Sequence, residues 1–177
     1  MATAAQVSSF LGVVHRHGIK ELDTARVYNA GKSEELLGAV SAHSRFAVST
    51  KAPAFAPGSL SERNILDNCA KTTSLEEQCR AINTLHREGR FDRFGVSNIS
   101  DAEVQEMYDI CVREGYVLPT VYQGGYNPIG RGPEKTLFPL LRKLDMSFYA
   151  FSPLAGGLLA KPLSDIPTRL KGRGSRR

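Results

Sequence analysis

Residues 21–38, ELDTARVYNAGKSEELLG, decide how the rest of the chain is interpreted. Asp23 ends a short stretch of strand-like sequence, Tyr28 follows five positions later, and the segment GKSEE comes next. Three structures could contain such a stretch: a phosphate-binding loop, a catalytic pair of an acid and a tyrosine, or an ordinary strand, loop and helix. The choice among them determines both the expected fold and the expected chemistry.

The phosphate-loop interpretation fails at one position. Such a loop has the pattern G-x-x-x-x-G-K-[ST], in which glycines let backbone N–H groups surround a phosphate. Gly31, Lys32 and Ser33 supply its end, but Arg26 stands where the first glycine is required. The chain also contains no G-x-G-x-x-G pattern, which disfavours a Rossmann dinucleotide-binding domain.

Strands and helices alternate along most of the chain. Strands are predicted at 19–22, 45–50, 91–97, 118–122 and 147–150, and helices at 4–17, 32–40, 59–71, 75–89, 100–114 and 134–144. This alternation predicts parallel βαβ units. It breaks once, because two helices and no strand lie between the strands at 45–50 and 91–97. A doubly wound, flavodoxin-like sheet of five strands is the main alternative architecture.

Asp23 is predicted to end the first strand, Tyr28 to lie in the loop after it, and Lys51 to end the next strand. All three are therefore expected at the carboxyl rim, where parallel β/α proteins bind ligands. A phenol has a pKa near 10, and a neighbouring ammonium group stabilises its anion. A phenol activated in this way can donate a proton to a carbonyl oxygen while hydride reaches the carbon. Spacing alone leaves an ordinary interpretation open, in which Asp23 caps a loop, Tyr28 packs and Lys51 is solvated.

The stretch at 21–38 resembles the aldo-keto reductases, in particular their aflatoxin aldehyde reductase-like branch and its fungal relatives. The resemblance continues through STKA (49–52), LHREGRFDRFGVSN (85–98), LPTVYQGGYNP (118–128) and FYAFSPLAGGLL (148–159). It implies a (β/α)8 TIM barrel that reduces aldehydes or ketones with NADP(H), which it binds without a Rossmann motif. Since roughly five of the eight strands are present, the expected fold class is α/β, an incomplete barrel of this type.

The resemblance also implies roles for individual residues. Tyr28 matches the proton donor, and Asp23 and Lys51 match the pair that tunes it. The positions that match cofactor contacts are Ser97, Asn98, Gln123, Phe151, Ser152, Leu154 and Gly156. The first three correspond to carboxamide contacts, the phenylalanine to the ring that stacks on the nicotinamide, and the last three to the phosphate loop. No metal site is expected.

Three pieces of the family pattern are expected to be missing. They are a glycine-rich strand before the first helix, a histidine-bearing strand between Thr72 and Ser74, and the segment that binds the adenosine 2′-phosphate. None of the four histidines ends a predicted strand; they are His15, His17, His43 and His86. The expected protein is a truncated reductase with an internal deletion and impaired activity. The alternative is an inactive pseudoenzyme or fragment that associates with itself or with a full-length reductase.

The charge distribution bears on partners and on domain limits. The net charge is +5, and Thr168–Arg177 carries five basic residues and no acid, so the rest of the chain is near neutral. A near-neutral body disfavours a nucleic-acid-binding face. We expect a partial reductase domain over 1–163 and a disordered basic tail over 164–177. With no membrane-length apolar run and no signal peptide, the expected location is the cytoplasm. The resemblance implies a small aldehyde or ketone as the partner.

Overall fold

The computed structural model describes residues 2–51 and 74–162. The chain divides into two compact units, Met1–Ala81 and Ile82–Arg177. The helix predicted over 59–71, the position of the expected missing strand and the basic tail at 164–177 lie outside the described residues.

Residues 2–51 of the first unit contain two α-helices and two strands in alternation. In chain order they are α1 (Ala4–Arg16), β1 (Glu21–Asp23), α2 (Lys32–Ala39) and β2 (Ala47–Ser49). The strands β1 and β2 pair in parallel, with Asp23 opposite Ser49. Leu11 of α1 is buried against Ala42 and Phe46, and this small core joins the helices to the strands.

The helix α1 begins with a capping box. The Thr3 hydroxyl accepts a hydrogen bond from the Gln6 N–H, and the Gln6 side chain accepts one from the Thr3 N–H. These two bonds satisfy backbone donors that the first turn of a helix leaves without partners. The start of α1 is therefore determined by local sequence.

The second unit is built on a sheet of three parallel strands. The boundary between the units falls within α3 (Leu75–Arg87). After it come β3 (Phe94–Ser97), α4 (Asp101–Glu114), β4 (Pro119–Gly125), α5 (Leu137–Lys143) and β5 (Ser147–Phe151). The sheet order is β3-β4-β5, so each strand pairs with its neighbour in sequence.

The two faces of this sheet differ in composition. Val96, Tyr122 and Phe148 are aligned across the three strands. They pack against apolar side chains on or next to α4 and α5, namely Val104, Leu137, Leu141, Leu144 and Met146. Since successive side chains of a strand point to opposite faces, the neighbouring row of Ser97, Gln123 and Tyr149 lies on the other face.

Five parallel strands, paired in sequence order within two sheets, confirm the predicted incomplete α/β barrel.

The predicted end of the strand at 118–122 is wrong. The strand β4 extends through Gly125, three residues beyond the predicted end at 122. A Cβ atom on Gly124 would lie 2.9 Å from the Tyr122 ring and 3.1 Å from the Phe148 ring. Glycine here permits close packing of the strand beneath two aromatic rings, rather than marking a turn. The helix predicted from 134 also begins later, at Leu137, after a short 3-10 turn over Gly132–Glu134.

This packing predicts that Gly124→Ala destabilises the fold by about 1–3 kcal/mol, because the new methyl group overlaps two packed rings. Gly132→Ala is the matched control, since no atom lies within 4 Å of its added Cβ. Urea unfolding of the two variants and the wild type measures the difference. Equal midpoints for the two variants would show that the rings move aside freely.

Candidate active site

In the first unit, the Lys51 ammonium connects the three predicted catalytic residues. Its Nζ lies 2.6 Å from Asp23 Oδ1 and donates to the Thr24 carbonyl oxygen at 2.9 Å. The same Nζ lies 5.3 Å from the centroid of the Tyr28 ring. The parallel pairing of β1 and β2 produces this arrangement. Asp23 is paired with Ser49, and Lys51 lies two residues after Ser49 at the same end of the strands.

The backbone after Tyr28 turns sharply. The Tyr28 N–H donates to the Ala25 carbonyl oxygen at 2.9 Å, and Asn29 and Ala30 have φ values of 52° and 54°. Gly31, with φ of 87°, then leads into α2. Two non-glycine residues in the left-handed region are unfavourable, and such strain is commonly found where a side chain must be held at a functional site.

The ion pair between Lys51 and Asp23 contributes little to folding. The lysine side chain is 28% exposed and the aspartate side chain 44% exposed. A pair this open to water contributes about 1 kcal/mol or less. Its main physical effect is to hold a positive charge beside the Tyr28 phenol, which is itself 43% exposed and open to solvent.

In the second unit, the predicted cofactor residues lie at the carboxyl edge of the sheet. Ser97 is the last residue of β3 and pairs in register with Gln123 of β4. Asn98 follows with φ of 57° and donates through Nδ2 to Ser97 Oγ at 2.9 Å. This edge therefore carries one hydroxyl and two carboxamide side chains.

Phe151 ends β5 at the same edge and lies against a glycine. It pairs in register with Gly125, where a Cβ would lie 3.3 Å from the Phe151 ring. The ring lies close to the β4 backbone because Gly125 has no side chain, and Phe151 remains 41% exposed. Ser152, Leu154 and Gly156 follow in an exposed turn, with φ of 55° at Ser152 and 68° at Gly156.

These groups fit a nicotinamide. An exposed aromatic ring can stack on a planar heterocycle, and amide and hydroxyl side chains can hydrogen-bond a carboxamide. The turn after Phe151 exposes backbone at glycines and left-handed residues, which lets a backbone approach phosphate groups closely. The donor set is therefore compatible with the cofactor that the sequence implies.

A cluster that the sequence prediction missed lies in the loop after β4. The Glu134 carboxylate accepts hydrogen bonds from Arg131 Nε at 2.7 Å and Arg131 Nη2 at 2.8 Å, and from the Tyr126 hydroxyl at 2.5 Å. Arg131 and then Tyr126 lower the pKa of Glu134 to about 2, and the hydrogen bond to Glu134 raises the pKa of Tyr126. The only sequence signal was the three-residue spacing of Arg131 and Glu134, with Glu134 at the start of the helix predicted over 134–144.

None of the four histidines belongs to the predicted catalytic residues of the first unit or to the predicted cofactor residues of the second unit. His15 lies in α1 and packs edge-on against Phe46, and His86 lies in α3 beside Phe91. His17 caps the end of α1, and His43 lies in a short 3-10 turn. All four histidines are among the described residues and none ends a strand, as predicted.

Comparison with known proteins identifies the family. The model of the Aldo/keto reductase family matches residues 3–72 and residues 66–171, together most of the chain. The chain belongs to the aldo/keto reductase family. The two matched segments meet at residues 66–72, next to the position where the sequence predicts a missing strand.

Several curated proteins are similar to this aldo/keto reductase over 89% of its length. Oxidoreductase sirO of Leptosphaeria maculans is 40% identical, with 54% of its own length covered. Aldo-keto reductase family 7 member A3 of Homo sapiens is 38% identical, with 54% covered. Aflatoxin B1 aldehyde reductase member 2 of Homo sapiens is 39% identical, with 50% covered. The chain thus spans about half the length of these relatives.

Two features are absent from the described residues of this family member. No helix within 2–51 and 74–162 is long and apolar enough to cross a membrane. In the same ranges, no three His, Cys, Asp or Glu side chains are grouped as ligands for a metal ion.

The Glu134 cluster predicts a pH dependence of stability. A carboxyl group whose folded pKa is lowered contributes stability above its ordinary value, here 4.5, and loses it as the pH falls towards about 2. The stability difference between wild type and Glu134→Gln should therefore be largest near pH 6 and shrink steadily below pH 4.5. Urea midpoints measured from pH 6 to pH 3 test this.

Glu106→Gln provides the matched control, because Glu106 is an exposed glutamate on α4. Its difference from wild type should stay small across the whole range. A Glu134→Gln difference that does not change with pH would contradict the assigned role of the carboxylate.

Proposed function

We propose that this chain is an aldo-keto reductase that reduces aldehydes or ketones to alcohols with NADPH. The observation that carries the proposal is the Lys51 ammonium, which lies 2.6 Å from Asp23 Oδ1 and 5.3 Å from the centre of the Tyr28 ring. A positive charge in this position stabilises the negative charge that a phenol acquires when it gives up its proton. Family membership independently supports the same reaction class.

In the proposed reaction, Tyr28 is the proton donor. The cofactor, when bound, supplies the hydride that reduces the carbonyl carbon. The Tyr28 hydroxyl donates its proton to the carbonyl oxygen, so that the product leaves as a neutral alcohol. Lys51 stabilises the phenolate that remains, and Asp23 holds the ammonium in place. Solvent returns the proton, since Tyr28 is 43% exposed.

The carboxyl edge of the second unit is the proposed nicotinamide site. Ser97, Asn98 and Gln123 would hydrogen-bond the carboxamide, and Phe151 would stack on the ring. Ser152, Leu154 and Gly156 would line the phosphates with the exposed turn after β5. The chemistry of these groups supports a nicotinamide dinucleotide, and the preference for NADPH over NADH comes from the family resemblance. Titration with both dinucleotides distinguishes them.

The substrate class proposed here is a small carbonyl compound, and a cytoplasmic location belongs to the same proposal. Four similar proteins carry names that identify them as aflatoxin B1 aldehyde reductases. An aromatic aldehyde is therefore the first compound to test.

Tyr28→Phe should reduce turnover of an aromatic aldehyde by about a hundredfold or more, because it removes the proton donor. Cofactor affinity should stay close to that of the wild type, since the substitution leaves the second unit intact. Steady-state rates with NADPH, together with a cofactor titration, separate the two effects.

Tyr116→Phe is the control for the Tyr28 experiment, because it removes a phenol hydroxyl in the segment between α4 and β4. It should retain the wild-type rate. If Tyr28→Phe also retains that rate, another group donates the proton. A wild-type chain that neither binds the cofactor nor turns over would favour the alternative function instead.

The alternative is a catalytically inactive pseudoenzyme that associates with itself or with a full-length reductase. One observation favours it: none of the four histidines ends a strand, so no imidazole is positioned to polarise the substrate carbonyl. The family match is divided at residues 66–72, which supports an internal deletion as the reason why a strand-end histidine is missing. Sequencing the transcript tests that reason, because a message that encodes an additional strand there would contradict it.

Association should occur through strand edges if the alternative holds. Within the described residues, β3 and β5 each pair on one side only, and an unpaired edge is a template for another strand. Light scattering of the purified chain should then show a dimer or larger species, or an intact reductase should co-purify with it. A monomer that co-purifies with no reductase would contradict this function.

A further inference from the structure

The Asn127 side chain connects two loops at the carboxyl edge of the second unit. Its Oδ1 accepts hydrogen bonds from the N–H groups of Ile129 at 3.1 Å and Gly130 at 2.8 Å. Its Nδ2 donates to the carbonyl oxygen of Ser152 at 3.2 Å. One amide group therefore organises its own loop after β4 and also holds the loop after β5.

The loop after β5 needs such support. Ser152 has φ of 55° and Ala155 has φ of 49°, both in the left-handed region that non-glycine residues seldom adopt. The Ser152 carbonyl oxygen also accepts the Ala155 N–H at 2.9 Å, which closes the turn. Conformations of this kind persist when surrounding contacts hold them, and the amide of Asn127 supplies one from outside the turn.

The position of Asn127 is itself well determined. The preceding residue, Tyr126, donates its N–H to the Phe151 carbonyl oxygen at 3.4 Å. The Tyr126 ring packs 5.1 Å from the Phe138 ring, and its hydroxyl donates to Glu134. The Arg131–Glu134 pair closes the far side of the loop. Asn127 thus lies in a loop after β4 that several contacts hold in place, and its side chain bonds to the strained loop after β5.

We infer that Asn127 is a positioning residue for the cofactor, which holds the turn from Ser152 to Gly156 in the shape that receives the dinucleotide phosphates. The inference rests on the proposed function, because the dinucleotide is the ligand of that turn. Holding the turn before binding lowers the ordering cost that the ligand would otherwise have to overcome. Asn127 acts through Ser152 and itself touches no reacting atom.

Asn127→Asp tests this with a nearly isosteric change. A carboxylate keeps the acceptor for Ile129 and Gly130 but replaces the donor to Ser152 with a second acceptor. At pH 8 the dissociation constant for NADP+, measured by calorimetry, should rise about five- to tenfold relative to wild type. At pH 5.5 the ratio should be the same as at pH 8, because a carboxyl with an ordinary pKa of about 3.9 stays ionised at both pH values and cannot donate to the Ser152 carbonyl.

Two further variants isolate the effect. Asn127→Ser is too short to reach Ser152 and does not titrate, so its affinity loss should be the same at both pH values. Gln105→Glu adds one negative charge on α4 and should leave the ratio near one. Among the charged neighbours of position 127, Arg131 remains protonated and Glu134 ionised over this range, so neither introduces a difference between the two pH values.

Amide hydrogen exchange gives a second measurement that does not depend on the cofactor. Segment 151–159 should exchange faster in Asn127→Asp, while α4 stays unchanged. If affinity and exchange both match the wild type, the inference is overturned and the proposed function stands. If the wild type binds no NADP+, the proposed function and the cofactor role both fail, even where exchange shows that the hydrogen bond stabilises the turn.

Discussion

Backbone hydrogen bonds between parallel strands determine which side chains can act together in each unit. In the second unit they align Ser97 with Gln123, and Gly125 with Phe151. In the first they place Asp23 opposite Ser49, two residues before Lys51. Because parallel strands all end at the same edge, polar residues that are distant in sequence meet there, and the loops that follow supply the rest of the chemistry.

The same pairing separates packing from chemistry by face. One row of the second sheet, Val96, Tyr122 and Phe148, contributes to the core beneath α4 and α5. The next residue of each strand lies on the opposite face and is polar or aromatic. The two glycines of β4 allow close packing on opposite faces. Gly124 makes room for the core rings of Tyr122 and Phe148, and Gly125 lies beneath the Phe151 ring. Close packing therefore explains why two glycines occupy a strand that would otherwise favour larger residues.

Side chains hold the loops at the carboxyl edge in conformations that are unfavourable on their own. Asn98, Ser152 and Ala155 all adopt left-handed backbone angles. Asn127 connects two of these loops, and the Arg131–Glu134 pair closes one of them. A scaffold of this kind can present a preformed ligand site, because the strain is offset by hydrogen bonds that already exist in the free protein. The absence of a histidine at any strand end remains the main departure from the chemistry that the family resemblance implies.

Local sequence was sufficient for the five strands and for most helix limits, and it led to the proposal of Asp23, Tyr28 and Lys51 as catalytic residues. Alternating patterns and capping residues act within a few positions, and the resemblance at 21–38 supplied the roles. Tertiary structure alone decided that β4 continues through Gly125 and that Asn127 holds Ser152. Those features depend on contacts between segments about 25 residues apart, here a glycine packed against the Phe148 ring and an amide bonded to a distant carbonyl. No local pattern encodes such contacts, because their energy exists only after the strands have paired.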